Sequence, residues 1–199
     1  MKFKTFFICI LAVLFTAKTW ATDAPNFDIT SIKVSAINRT LQVTVAKTTD
    51  EAINISIETL NGTVIHEERT TQATTLKKYD LHLLESGDYV LVVENGRTKT
   101  IQPFVLEFGS IKITESERTT KRLPQITQVT TGIDVRVYAS KKTTVNVKII
   151  DNQGISVFEE SIDALGFAKH YNLSKLPSGV YFVEVNADNE AQYSTIVLK

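Results

Sequence analysis

Residues 145–154 read Val-Asn-Val-Lys-Ile-Ile-Asp-Asn-Gln-Gly, and residues 53–62 read Ile-Asn-Ile-Ser-Ile-Glu-Thr-Leu-Asn-Gly. In each stretch the first, third and fifth side chains are apolar and those between them are polar. That period of two marks a strand with one buried and one wet face. Each strand runs into a turn built for positive φ, Asn61-Gly62 in one and Asp151-Asn-Gln-Gly154 in the other. Such turns close hairpins, here onto residues 64–68 and 155–161.

The two stretches belong to a longer match. Residues 41–106 align without a gap on residues 133–198, an offset of 92, with 17 identities among 66 positions. Gly62 falls on Gly154, Glu67-Glu68 on Glu159-Glu160, Tyr79 on Tyr171, and Leu84, Ser86, Gly87 and Tyr89 on Leu176, Ser178, Gly179 and Tyr181. Turn residues and core periodicity coincide, so the chain carries two copies of one domain; the period is too long for a solenoid repeat. Further strands are expected at 79–81 and 171–173, 89–93 and 181–185, and 98–106 and 192–198. One more precedes each copy, near 29–34 and 126–129. About seven short strands per copy predict an all-β protein of two tandem immunoglobulin-like antiparallel sandwiches, over residues 22–115 and 116–199. Composition agrees: 26 Thr, 19 Val and 19 Ile make about a third of the 199 residues β-branched, which suits pleated surfaces better than helices. Residues 115–122, Glu-Ser-Glu-Arg-Thr-Thr-Lys-Arg, hold five charges and no apolar side chain, and read as a solvated hinge rather than an anion site of Arg118, Lys121 and Arg122.

The beginning of the chain reads as an address. Lys2 and Lys4 precede an apolar run over residues 6–15, and Ala21 supplies a small residue for cleavage, the pattern of a signal peptide over residues 1–21. The run is too short to span a bilayer, and Cys9 lies inside it, away from a lipid-attachment position. Without those residues the chain would carry 19 basic and 22 acidic side chains, no Cys and no Trp, and would have no disulfide and no membrane span. The near-neutral charge excludes nucleic acid as an expected partner.

Little in the sequence suggests catalysis. His66, His82 and His170 fall in no metal-binding or catalytic spacing, and His66 aligns with Phe158. Adjacent carboxylates at Glu67-Glu68 and Glu159-Glu160 point to opposite faces of a strand and cannot converge on one glycosidic bond; a charged strand edge is their expected role. Asp50-Glu51 lacks the further acids of a calcium loop, and Lys142 and Thr143 hold the equivalent places. The glycosylation-type matches at Asn38, Asn54, Asn61 and Asn172 are those a Thr/Ser-rich chain generates by chance. Catalytic, cofactor and metal residues are therefore expected to be none. Sugar stacking would fall to the unpaired Tyr138 and Tyr193.

Leu84-Glu-Ser-Gly-Asp-Tyr89 and Leu176-Pro-Ser-Gly-Val-Tyr181 form the most specific motif. A Gly lets the chain turn into a buried strand, and the Tyr offers a ring to the core and a hydroxyl to the loop backbone. With residues 145–154, the segment Tyr171-Asn-Leu-Ser-Lys-Leu-Pro-Ser-Gly-Val-Tyr181 and the final Ser194-Thr-Ile-Val-Leu-Lys199, it resembles the C-terminal sorting domains of the type IX secretion system of Bacteroidetes. The resemblance implies a seven-stranded sandwich acting as a cleavable export signal. Family members usually follow a large cargo, whereas here the first copy precedes, with Glu85 in place of the Pro. The expected function is a non-catalytic exported protein with a sorting-type second domain, partnered by secretion machinery or an envelope protein. The alternative is a periplasmic or surface binding module for protein or glycan.

Overall fold

Alternation, turns and duplication each reappear as geometry in the computed structural model, which describes residues 29–199. The expected signal peptide at 1–21 lies outside the described residues. The first copy comprises β1 (Ile29–Ile37), β2 (Thr40–Lys47), β3 (Ile53–Thr59), β4 (Val64–Thr70), β5 (Thr74–Asp80), β6 (Gly87–Glu94) and β7 (Thr98–Glu107). Two short strands follow, β8 (Ser110–Ile113) and β9 (Thr119–Arg122), separated by a 3-10 turn at Glu115–Glu117. The second copy comprises β10 (Gln125–Val129), β11 (Gly132–Val137), β12 (Thr143–Asp151), β13 (Ser156–Ala164), β14 (Phe167–Asn172), β15 (Gly179–Ala187) and β16 (Glu190–Leu198).

Each copy folds as two antiparallel sheets. The second has sheets β10-β11-β14 and β13-β12-β15-β16; the first has β1-β2-β5 and β4-β3-β6-β7, with β8 and β9 added to the outer edge of β7. In both, the fourth strand stays in the sheet of the third because a tight hairpin joins them. Gly62 and Gly154 adopt φ of 84° and 83° in those hairpins, as their turn positions require.

Register is duplicated along with sequence. Leu41 faces Tyr79 as Ile133 faces Tyr171, and Tyr89 faces Phe104 as Tyr181 faces Ile196. Even the β-bulge recurs, after Ile57 in one hairpin and after Ile149 in the other. Because a one-residue slip would turn every apolar side chain outward, preserved register means preserved core. Two separate cores result: Leu41, Val43, Ile53, Ile55, Leu91 and Phe104 anchor one, and Ile133, Val135, Val147, Ile149, Val185 and Ile196 the other.

Two local expectations are corrected. The charged segment 115–122 is not a loose hinge. Its last four residues form β9, which pairs with β7 from Thr98↔Arg122 to Ile101↔Thr119, so β9 falls with the first sandwich by pairing. Leu123 is buried and donates its N–H to the Arg97 carbonyl at 2.8 Å, and β10 begins two residues after it. Secondly, Gly87 and Gly179 hold no positive φ, and an added Cβ would touch only the Tyr89 or Tyr181 ring, at 4.0 or 3.7 Å. The close approach occurs at Gly132, where a Cβ would lie 1.9 Å from the Tyr171 carbonyl oxygen.

Candidate recognition surface

The motif tyrosines are committed to the fold. Tyr181 donates its hydroxyl to the Pro177 carbonyl at 2.9 Å, and Tyr89 donates to the Glu85 carbonyl at the same distance. The acceptor is backbone, which explains why Pro and Glu exchange at that place between the copies. The other paired tyrosines also face inward: Tyr79 donates to the Glu68 carboxylate, and Tyr171 to Glu160 at 2.7 Å. Lys77 and Lys169 complete the two clusters, Lys169 at 2.6 Å from Glu160.

These clusters revise the reading of the Glu pairs. Glu67 and Glu159 are exposed, as alternation predicts, while Glu68 and Glu160 turn inward and are held by a lysine and a tyrosine rather than forming a plain charged edge. Partial burial pushes both carboxyls up, but the lysine and tyrosine hydrogen bonds outweigh it and leave them below the usual carboxylate range. Burial, then the hydrogen bond to the carboxylate, pushes the Tyr79 and Tyr171 hydroxyls well above theirs.

The histidines occupy structural places. His66 packs on Tyr79 with ring centroids 5.2 Å apart, and Phe158 packs on Tyr171 at 5.3 Å, so the two side chains fill one role in the two copies. His82 pairs with Asp80, and His170 Nδ1 lies 2.8 Å from Asp134 across β11 and β14. Glu51 pairs with Arg97 at 3.5 Å, and its carbonyl accepts from Lys47. Asn38 sits at φ 53° in the β1–β2 turn, Asn54 and Asn61 are exposed, and the Asn172 side chain accepts the Ser174 N–H. Among the described residues, no group of three or more His, Cys, Asp or Glu is arranged to hold a metal ion. No helix there is long and apolar enough to cross a membrane.

Two surfaces remain for recognition. One is a groove of about 960 Å³ where the sandwiches meet, lined by Lys121, Arg122, Tyr138, Lys141, Phe167 and Glu190 among others. Arg122 lies over the Tyr138 ring, 4.8 Å from its centroid. Glu190 accepts from Lys121 at 3.2 Å and from Lys99 at 3.4 Å, tying β16 to β9 and β7. Arg118 takes no part: its Nε donates to Gln102 at 2.8 Å and its Nη1 to the Ile32 carbonyl at 3.0 Å, inside the first sandwich. The second surface is the outer face of β15 and β16. Val180, Phe182, Tyr193 and Val197 are exposed there, Tyr193 to 71%. Tyr138 and Tyr193, the two unpaired tyrosines, thus fall on different surfaces.

Comparison with known proteins adds one family. The model of the secretion system C-terminal sorting domain matches residues 29–107 and again residues 124–199. None of the curated proteins matches. Among solved structures, the BSP domain of a biofilm associated protein is similar at 14% identity and a TM-score of 0.28, over 84% of this chain and 29% of that one. The human OSCAR ligand-binding domain is similar at 9% identity and a TM-score of 0.25, over 84% and 97%. The chain therefore spans less than a third of the first of these, and neither likeness bears on what it does.

Proposed function

Because the chain belongs to the secretion system C-terminal sorting domain family, we propose that it is a non-catalytic exported protein whose second sandwich acts as a type IX sorting signal. The observation that carries this reading is the family match over each of the two sandwiches. Possession of a separate core lets the second sandwich present its surface whatever precedes it. The direct partner on this reading is a component of the secretion machinery, and the destination lies beyond the inner membrane: the periplasm, the cell surface or the medium.

Residues 124–199 fused behind a periplasmic reporter should carry it out of the cell when type IX machinery is present and leave it in the periplasm when it is absent. Retention in the periplasm in both backgrounds overturns the reading. A second reading, an envelope module that binds protein or glycan, is favoured by the groove holding Tyr138.

A further inference from the structure

The duplication allows the same strand edge to be compared in two surroundings. In the first sandwich the outer edge of β7 is closed along its length. β9 pairs with Thr98 to Ile101 and β8 with Phe104 to Glu107. Between them stands Pro103, which has no N–H to offer a neighbour. Ile111 and Ile113 of β8 pack against the core, so this added strand also seals the gap between the sheets.

β16 is the counterpart of β7, and its outer edge is treated differently. Gln128 of β10 reaches across with its side-chain amide, donating to the Val197 carbonyl at 2.7 Å and accepting from the Val197 N–H at 3.3 Å. That amide takes the place held by Lys112 of β8 opposite Val105 in the first copy. It follows that Val197 directs its backbone polar groups away from β15. Alternation along an antiparallel strand then directs those of Tyr193 and Thr195 the same way. Pro103, at the position equivalent to Thr195, supports this, since a missing N–H there leaves the pairing with β6 intact. Among the described residues, no strand pairs with β16 on this side. The edge is flanked on the outer face by the exposed side chains of Tyr193, Phe182, Val180 and Val197.

An unpaired, uncharged edge beside an apolar strip is the arrangement that accepts an added strand. We propose that the Ala191–Thr195 edge of β16 receives an extended segment of another polypeptide, which adds a fifth strand to the sheet. The chemistry of that segment is set by β9, which does the same for the first copy: two β-branched residues followed by two basic ones, with Thr119 opposite Ile101, the counterpart of Tyr193, and Lys121 opposite Lys99, the counterpart of Ala191. Gln128 limits the open stretch by blocking Val197, so the guest strand is short. This inference is independent of whether the domain sorts.

The probe is a synthetic peptide of residues 117–123, Glu-Arg-Thr-Thr-Lys-Arg-Leu, added to the full chain. Hydrogen exchange of the Tyr193 and Thr195 amides should slow at least several-fold with peptide. The effect should disappear in Thr195→Pro, a change the fold already accepts at Pro103, with the thermal midpoint verifying that the variant is folded. Tyr193→Lys, which places a charge on the same edge, provides a second variant and should weaken binding. Unchanged exchange at both amides with saturating peptide overturns the proposal. So does a concentration-dependent dimer abolished by Thr195→Pro, because the edge would then belong to a second copy of this chain.

Discussion

Tyr171 donates its hydroxyl to Glu160 across 2.7 Å, joining β14 to β13 in the opposite sheet. The first copy repeats the bond between Tyr79 and Glu68, so each sandwich is bolted at the same point by a phenol, a carboxylate and a lysine.

Acid should loosen both bolts. Glu68 and Glu160 have folded pKa values below their usual 4.5, so the unfolded chain binds more protons than the folded one as pH falls. Their contribution is complete above about pH 4.5 and is lost as pH drops through the depressed values. Urea unfolding at pH 7 and pH 3 should show this loss, and Glu160→Gln should make the second sandwich less pH-dependent over that window. Both carboxyls are partly open to water, so the effect per site should stay near or below about 1 kcal/mol.

Alkali acts on the same clusters from the other side. Tyr79 and Tyr171 are raised above their usual 10.0, so stability from them is intact below about pH 10 and is lost as pH rises beyond it. A spectrophotometric titration at 295 nm should show the Tyr79 and Tyr171 hydroxyls ionising only with unfolding, an assignment checked by Tyr79→Phe and Tyr171→Phe.

The corner tyrosines should each be worth one hydrogen bond. Tyr181→Phe and Tyr89→Phe should each cost about 1 kcal/mol by chemical denaturation. Pro177→Ala should cost much less, since the Tyr181 hydroxyl uses the carbonyl that the substitution preserves.

Three glycines should rank in an order the motif does not suggest. Gly179→Ala has room and an ordinary φ and should be nearly neutral. Gly154→Ala forces a side chain into φ 83° and should cost about 1–2 kcal/mol. Gly132→Ala would drive a Cβ into the Tyr171 carbonyl and should be the most damaging, seen as the largest drop in thermal midpoint.

Glu190 should govern the joint between the sandwiches. Glu190→Gln removes the acceptor charge shared by Lys99 and Lys121, and small-angle scattering should show a broader distribution of maximum dimensions. Wild-type protein in high salt should move in the same direction, because partly exposed ion pairs are screened.

Much of this was legible in the chain because it occurs twice. Alternation in residues 53–57 and 145–149 and the Gly62/Gly154 turns located the hairpins, and the constant offset carried register from one copy to the other. β9 was hidden for a physical reason: Thr-Thr-Lys-Arg has no apolar period, and its strand form comes from backbone bonds to β7. Gln128 was equally silent, since an amide becomes a substitute strand only when folding brings Val197 beside it. The repeated Glu68, Lys77 and Tyr79 stood among the identities, yet sequence separation alone does not say that they touch. Residues 74–78 extend β5 earlier than the expected residues 79–81 because their backbone continues to pair with β2.

The attachment of β9 has a mechanical meaning. A pull on the second sandwich enters the first at Arg122, paired with Thr98 at one end of an antiparallel ladder. A load directed across the ladder would open it from this end, one pair after another, whereas a load directed along β9 would shear all four pairs together. In either direction, tension carried by the backbone meets the four pairs of β9 before it meets the core strands of the first sandwich.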